Sequence, residues 1–283
     1  MAESNTRLLG AHLSVAKGYV HVVEETLEKG GNCLQIFSGS PRSWGRKSLD
    51  LVDPKAFLAF RKEKHFGPVF IHALYLINLV GDREELVKNS VNALIYDLKY
   101  DAKIEGSGVV VHLGSHLGAG YEVVFEKLVA HIKEVLDKTP ANSTLLVENS
   151  AGQQGKLCST FEDLKRLFTE LAPYAKSGRL GLCIDTCHAF ATGYKPSELS
   201  AKLKEFGLMD KVRMIHLNDS RDPFASGRDR HENVGQGMIG KDELKKFLHD
   251  PAFEKIPLIL EVPGYDKLGP DAKNIAVVKE LLQ

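Results

Sequence analysis

Short apolar runs recur along this chain, and many of them stop at an ionisable residue. Val69-Phe70-Ile71 runs into His72, and Leu145-Leu146-Val147 runs into Glu148. Four more runs end in the same way, at His112, Asp185, His216 and Glu261. Apolar runs this short are typical of parallel strands that are buried on both faces. The pattern therefore predicts a sheet that gathers ionisable side chains at the carboxyl ends of its strands.

Strand and helix signals alternate along the whole chain. Eight strands are predicted, over Leu8–His12, Cys33–Phe37, Val69–His72, Val109–His112, Leu145–Glu148, Leu180–Asp185, Val212–Leu217 and Leu258–Glu261. Eight βα units without a Pro/Gly/Ser-rich linker predict an α/β fold, a (β/α)₈ TIM barrel, as a single domain over residues 1–283. An open doubly wound sheet is the structural alternative. It would usually carry a glycine-rich phosphate turn after the first strand, which the segment at 10–14 is not.

Local signals predict where the helices begin and end. Capping signals precede four of them, at Ser14, at Asp53 before Pro54, at Asp82 with Glu85, and at Thr160 with Asp163. The helix that Ser14 opens is expected to end at Gly30. Prolines precede or stop three more, at Pro196, Pro270 and, after a short helix from Lys241, Pro251.

Composition says more about the compartment and partners of the protein than about its chemical activity. The chain has 37 basic and 37 acidic residues, and this balance counts mildly against a polyanionic partner unless a local basic rim or bound cations supply positive charge. Its four cysteines lack the spacing of a disulfide framework, which indicates reduced thiols in the cytosol. The first residues lack the pattern of a secretory signal, and the longest apolar stretch, near 69–80, is too short to span a bilayer. A cytoplasmic protein without a membrane partner is expected.

Three further candidate ligands lie in loops beside the six at the strand ends. His188 follows Asp185 by three residues, and Asp229 and His231 form an Asp-x-His pair. Imidazoles and carboxylates without cysteine suit zinc, manganese or ferrous iron better than magnesium or calcium. Nine protein ligands exceed what one ion takes, so they predict a cluster of two or three ions. Burying so many ionisable groups at one barrel mouth without compensation would cost several kcal/mol for each group.

Five segments of the sequence resemble the signatures of the endonuclease IV family, the zinc-dependent apurinic/apyrimidinic endonucleases of base-excision repair. The segments run in order along nearly the whole chain, at 72–79, 148–153, 185–194, 216–220 and 229–235. The resemblance implies a TIM barrel with three zinc ions, manganese being an alternative at one or more sites. It also implies that Glu148 is catalytic as well as a ligand. Residues near these motifs depart from the family pattern without removing a ligand, namely Leu113, Gln154, Gln236 and Val262.

The resemblance assigns the nine ligands to three sites. His72 and His112 would hold the first ion, with Glu148 bridging to the second. The second site would be completed by Asp185, His216 and Glu261, and the third would be formed by His188, Asp229 and His231. The substrate would be duplex DNA that contains an abasic site or a blocked 3′ end. Hydrolysis 5′ to the abasic site would leave a 3′-hydroxyl and a 5′-deoxyribose phosphate, and related members also trim blocked 3′ ends.

Two loops are expected to contact DNA. The loop after the second strand, residues 38–47, holds three cations and Trp44, the only tryptophan. By resemblance, Arg42 in this loop would insert into the duplex, and Tyr75 with Leu76 would form a second insertion loop. Apolar and aromatic wedges can hold a flipped nucleotide, and an abasic site has little stacking to lose. The chain is expected to act as a monomer.

Two other functions remain open from the sequence. A metal-dependent TIM-barrel sugar isomerase or epimerase would share the strand-end ligands but would hold only one or two ions, so it has little use for the third set. A non-catalytic binder of damaged DNA would be marked by the loss of a ligand, and the sequence retains all nine. Metal content and an incision assay distinguish the three.

Overall fold

The computed structural model describes residues 7–283, and within that range eight parallel strands close into one barrel. The barrel strands are β1 Leu9–His12, β2 Cys33–Phe37, β3 Val69–His72, β4 Val109–Val111, β5 Leu145–Glu148, β6 Leu180–Asp185, β7 Val212–His216 and β10 Leu258–Leu260. Each strand pairs in parallel with the next along the chain, and β10 pairs with β1 to close the barrel. The predicted single-domain TIM barrel is confirmed. Residues 1–6 lie outside the described range. The predictions that the domain starts at residue 1 and that the chain lacks a secretory signal concern these residues.

Helices connect the strands, as a barrel of βα units requires. They are α1 Tyr19–Glu28, α2 Lys55–Glu63, α3 Glu84–Lys103, α4 Tyr121–Asp137, α5 Phe161–Glu170, α6 Ala172–Lys176, α7 Thr186–Ala191, α8 Leu199–Glu205, α9 Lys241–Leu248 and α10 Ala272–Leu281. A small antiparallel pair, β8 Asp219–Ser220 and β9 His231–Glu232, lies between β7 and α9 in the chain. Among residues 7–283, no helix combines the length and apolar character needed to cross a membrane.

Two of the predicted helix caps form as expected. The Thr160 side chain accepts a hydrogen bond from the backbone N–H of Asp163 at 3.1 Å and begins α5. The Asp53 side chain accepts one from the N–H of Lys55 at 3.1 Å, with Pro54 between them. Side chains that accept from otherwise unpaired N–H groups stabilise a helix start by about 1 kcal/mol.

Two other predicted caps are wrong. Helix α1 begins at Tyr19 rather than near Ser14, because Gly18 turns the chain into the helix with φ 105°, a conformation that favours glycine. Helix α3 begins after Arg83, and the Asp82 side chain does not cap it. The loop before α3 is instead organised by Asn78, whose side chain accepts from the N–H of Val80 at 3.1 Å.

The interior of the barrel has an apolar layer below a polar layer, because strand side chains alternate between faces. The apolar layer, here called the barrel floor, consists of Cys33, Phe70, Val110, Leu146, Cys183, Met214 and Ile259. Two residues after each of these seven lies a polar side chain, and on β1 the polar His12 follows Gly10 at the same spacing. These form what we call the polar ring, which consists of His12, Gln35, His72, His112, Glu148, Asp185, His216 and Glu261. The residues that alternate with them pack outwards against the helices, as Ile71 and Val147 do.

Candidate metal centre

The first group of candidate ligands comprises His72, His112 and Glu148. Their ligand atoms lie within 4.8 Å of one another. Nε2 of His72 and Nε2 of His112 lie 3.5 Å and 3.3 Å from Oε2 of Glu148. Nδ1 of His72 lies 2.6 Å from the carbonyl oxygen of Ala73. Because a carbonyl only accepts, Nδ1 carries the hydrogen and Nε2 is directed towards the carboxylate.

The second group comprises Glu148, Asp185, His216 and Glu261, again within 4.8 Å of one another. Nδ1 of His216 lies 3.0 Å from Oε1 of Glu148, 3.3 Å from Oε2 of Glu261 and 3.9 Å from Oδ2 of Asp185. Glu148 therefore directs one oxygen to each of the first two groups. This is the arrangement of a carboxylate that can bridge two cations.

The third group consists of Asp185, His188 and His231, whose ligand atoms lie within 4.8 Å of one another, and it is organised by the start of α7. Asp185 caps this helix, because its Oδ1 accepts from the N–H of His188 at 2.9 Å. The cap brings His188 into the site, where Nε2 lies 3.1 Å from Oδ1 of Asp229. Nε2 of His231, at the start of β9, lies 3.5 Å from the same oxygen. The Asp185-x-x-His188 spacing thus reflects a capping residue and the third residue of the helix that it caps.

Several of these atoms have a lone pair that is not used in a hydrogen bond and that a cation could bind. Within residues 7–283, Oε2 of Glu148, Nε2 of His188 and Nε2 of His231 are buried and have no hydrogen-bond partner. Buried polar atoms are nearly always hydrogen-bonded, so three unpartnered atoms in one cluster require an explanation. Nitrogen and oxygen atoms in three groups of three or four are the donor set of divalent transition metals. The residues present therefore fit divalent cations.

The charges of the site are strongly coupled. Burial alone would raise the pKa of Glu148, but the imidazoles of His112 and His216 hold it well below its usual value. Burial would lower the pKa of His188, but Asp185 and Asp229 raise it well above the ordinary value. In contrast, burial dominates at His112 and lowers its pKa to about 4. The buried carboxylates thus strongly favour positive charge beside them, whether on an imidazole or on a bound cation.

Two asparagines, which the sequence patterns did not single out, hold the ligands in place. Nδ2 of Asn218 donates to Oδ2 of Asp185 at 2.7 Å, and its Oδ1 accepts from the N–H of Glu261 at 2.9 Å. Oδ1 of Asn149 accepts from the N–H of Asp185 at 2.7 Å. The available signal was their position, because each follows a ligand, Glu148 or His216, by one or two residues.

The centre opens into a cavity of about 1020 Å³. Tyr75 and Pro41 line it, and the two loops that were expected to contact DNA are joined there by a hydrogen bond from the N–H of Tyr75 to the carbonyl of Pro41, at 3.0 Å. Tyr75 is 57% exposed and Leu76 is 40% exposed, so this loop presents aromatic and apolar surface to solvent. Arg42, directly after Pro41, is exposed as well. The loop after β10, at 263–270, also borders the cavity and was not identified from the sequence.

The cations of the 38–47 loop do not all face solvent. The side chain of Arg46 is only 10% exposed, and its Nε lies 3.7 Å from Oδ1 of Asp97, a fully buried carboxylate. Its Nη1 donates to the carbonyls of Ser40 and Ser43 within 3.4 Å. Trp44 is partly buried against the hydrophobic core. Arg46 therefore shapes the loop from within, and Arg42 is left as an outward-facing cation.

Comparison with known proteins adds to this geometry. The family model described as a xylose isomerase-like TIM barrel matches residues 23–282. A protein of Methanoculleus marisnigri named probable endonuclease 4 is 37% identical over 281 residues, covering 97% of this chain and 98% of its own length. The crystal structure of endonuclease IV from Thermus thermophilus is 36% identical, with a TM-score of 0.84 over 98% of this chain and 99% of that chain. A D-tagatose 3-epimerase-like protein, 20% identical over 96% of this chain and 97% of its own, has a TM-score of 0.71, which shows the shared fold alone.

Proposed function

This chain belongs to the endonuclease IV family, and we propose that it hydrolyses the phosphodiester 5′ to abasic sites in duplex DNA. The products would be a 3′-hydroxyl and a 5′-deoxyribose phosphate. The same centre would remove blocking groups from 3′ ends, because that reaction also breaks a phosphoester bond at a 3′ oxygen. All nine candidate ligands belong to one chain, which supports action as a monomer.

The observation that carries this proposal is the position of Glu148 between two groups of ligands. Its Oε2 lies 3.3 Å from Nε2 of His112, and its Oε1 lies 3.0 Å from Nδ1 of His216. With the third group alongside, the site can hold three cations, which we propose to be zinc, with manganese possible at one or more positions. When bound, such cations activate water near neutral pH and neutralise the charge of a phosphodiester and of its leaving oxygen.

The side chains of this chain prepare the centre for that chemistry. The hydrogen bond from Nδ1 of His72 leaves its Nε2 to act as a ligand, and the bonds from Asn218 and from the N–H of His188 hold the Asp185 carboxylate in place. The buried barrel floor closes the centre from beneath, and the cavity opens the ligands to solvent and substrate on the other side. The described residues thus combine a buried, charged pocket with an open mouth.

The rim of the cavity has the features of a surface that reads damaged DNA. Arg42 offers a cation to the phosphate backbone, and Tyr75 and Leu76 offer exposed apolar surface that can enter the duplex. A nucleotide without a base has no pairing to lose, so it is the one most easily rotated into a pocket. Specificity for abasic sites would then follow from the low cost of flipping.

The sugar epimerase alternative uses the same barrel. Its members need one or two cations, whereas Asp185, His188 and His231 form a third group here, with Oδ1 of Asp229 3.1 Å from Nε2 of His188. A binder that had lost catalysis would be expected to have lost at least one ligand. The geometry therefore favours a hydrolytic three-metal centre over both.

The test pairs metal analysis with cleavage of an end-labelled duplex that carries one tetrahydrofuran abasic analogue. We expect about three zinc ions per chain and one incision 5′ to the analogue, with a 3′ end that a polymerase extends. An undamaged duplex of the same sequence is the control for nonspecific nuclease activity. One or two ions without incision would favour the epimerase, and binding without incision in zinc-replete buffer would favour the non-catalytic binder.

A further inference from the structure

One member of the polar ring is neither ionisable nor among the nine candidate ligands. Gln35 lies on β2 and is fully buried between the ionisable side chains of the neighbouring strands. The run Cys33–Phe37 does not end at this residue, so the apolar pattern gave it no prominence. A buried amide in a cluster of charged groups must use its donors and its acceptor in fixed directions.

Both ends of the Gln35 amide contact residues of the second group. Oε1 of Gln35 lies 2.9 Å from Nε2 of His216, and Nε2 of Gln35 donates to Oε1 of Glu261 at 2.7 Å. The opposite amide orientation would place the amide oxygen against the Glu261 carboxylate, oxygen to oxygen, so electrostatics exclude it. The amide oxygen only accepts, and Nε2 of His216 must therefore carry a hydrogen.

These two bonds determine which atoms remain free. With its hydrogen on Nε2, His216 presents Nδ1 to Glu148, Asp185 and Glu261. On Glu261, Oε1 is occupied by Gln35 and also by Nδ1 of His12 at 2.7 Å. Oε2 is then the oxygen left facing Nδ1 of His216, 3.3 Å away.

We infer that Gln35 is the positioning residue of the second group, since a single amide selects the ligand atom of both His216 and Glu261. This inference rests on the proposed metal-dependent function. Partners of this kind around a metal site typically change metal affinity by about 10- to 100-fold when removed. The effect is expected at the second group, because Gln35 makes no described hydrogen bond to the first or the third.

Two substitutions separate the functions of the amide. Gln35→Met keeps the approximate volume and removes these two hydrogen bonds, together with the 2.9 Å contact between Nε2 of Gln35 and Nδ1 of His12. Gln35→Glu keeps an acceptor for the Nε2 hydrogen of His216 but replaces the donor to Glu261 with a second carboxylate. Met214→Leu, in the barrel floor, is the matched control for a buried substitution inside the barrel. Thermal unfolding of each chelated variant establishes that it is folded.

Zinc content is measured at a series of buffered free zinc concentrations. We expect Gln35→Met to lose one of about three ions at concentrations about tenfold or more above those at which the wild-type and Met214→Leu proteins lose it. Long-range ¹H–¹⁵N spectra of the zinc-loaded proteins report the His216 ring. The Nε2–H form is expected in wild-type protein and in Gln35→Glu, with loss of a single defined form in Gln35→Met.

The outcomes distinguish this inference from the proposed function. Wild-type zinc affinity and an unchanged His216 spectrum in Gln35→Met would overturn the positioning role while leaving the three-metal centre intact. Should Gln35→Met fail to fold, Gln35→Glu decides the matter. It supports the inference if zinc is weakened with the His216 form retained, and overturns it if zinc affinity is unchanged. Wild-type protein that binds no zinc would instead remove the proposed function itself.

Discussion

Oε1 of Glu148 lies 3.0 Å from Nδ1 of His216, although β5 and β7 are not neighbours in the barrel. The contact crosses the polar ring above the strand between them, and it is possible because Glu148 is longer than the Asp185 side chain of that strand. The other oxygen of Glu148 faces His72 and His112. A single carboxylate therefore connects ligands from three other strands, and its removal should affect two metal sites together.

Glu148→Gln is expected to abolish most of the turnover while preserving the fold. The amide has the size of the carboxylate but offers one neutral oxygen, so it cannot serve two cations. We expect a loss of roughly 100-fold or more in kcat, more than the typical effect of a residue that only supports a ligand. Metal analysis should show fewer ions per chain, with circular dichroism unchanged. Wild-type turnover in this variant would contradict the bridging role.

Arg42→Ala is expected to weaken DNA binding without changing metal content. One lost phosphate contact should lower affinity roughly tenfold and reduce the slope of log affinity against log salt by about one. Affinity for an abasic duplex is measured by fluorescence anisotropy at several salt concentrations. Lys204→Ala, an exposed cation on α8 away from the cavity lining, is the control and should change neither quantity.

Arg46→Ala should give a different result, although Arg46 belongs to the same loop. Its guanidinium bonds to loop carbonyls and faces the buried Asp97, so its loss should disorder the loop and lower the thermal unfolding temperature. Burial has already raised the pKa of Asp97 to about 6, and removal of the arginine would raise it further. DNA affinity should fall with an unchanged salt slope. A slope reduced by one, as for Arg42→Ala, would show instead that Arg46 contacts phosphate.

The stability of chelated protein should pass through a maximum as pH changes. His188 has a folded pKa above its ordinary 6.5, so its contribution is full below about pH 6.5 and is lost as pH rises through the folded pKa. Glu148 has a folded pKa below its ordinary 4.5, so its contribution is full above about pH 4.5 and is lost as pH falls. The unfolding temperature should therefore be highest between these values. A profile that rises steadily to pH 9 would argue against this charge coupling.

Bound zinc should prevent the fall in unfolding temperature that is expected for chelated protein at alkaline pH. Cations bind neutral imidazole, so they must displace the proton that Asp185 and Asp229 favour on His188. Zinc affinity is expected to rise with pH, and binding is expected to release protons. Calorimetry in two buffers of different ionisation enthalpy measures the number released. Equal binding enthalpies in both buffers would show that no proton is displaced.

The apolar pattern predicted the fold and most of the polar ring for a physical reason. Parallel barrel strands are buried on both faces, so their apolar run continues until the chain reaches the inward-facing polar layer, as at His72 and Glu148. The residue at which each apolar run ends therefore indicates where the strand reaches the polar ring. The pattern did not identify Gln35, because β2 continues through Ile36 and Phe37 and its apolar run does not end at the amide.

Local helix signals were less informative where tertiary structure set the boundary. The Thr160 side chain caps α5 where the local signal predicted, whereas α1 starts where Gly18 turns the chain. Helix α7 follows β6 without a loop, and it was not predicted because its capping residue, Asp185, is also the last residue of the strand. The inward turn of Arg46 depends on Asp97, a contact across 51 positions that composition cannot show.

The barrel floor has a consequence for how the ions exchange. Seven packed side chains block the lower end of the barrel, so an ion that leaves the ring must pass through the mouth that DNA would cover. A duplex bound at the rim would then block the path by which the ions leave. Ions should be stripped quickly by a chelator from free enzyme and slowly from enzyme that holds its product, so the working enzyme is shielded from metal depletion while a repair event is in progress.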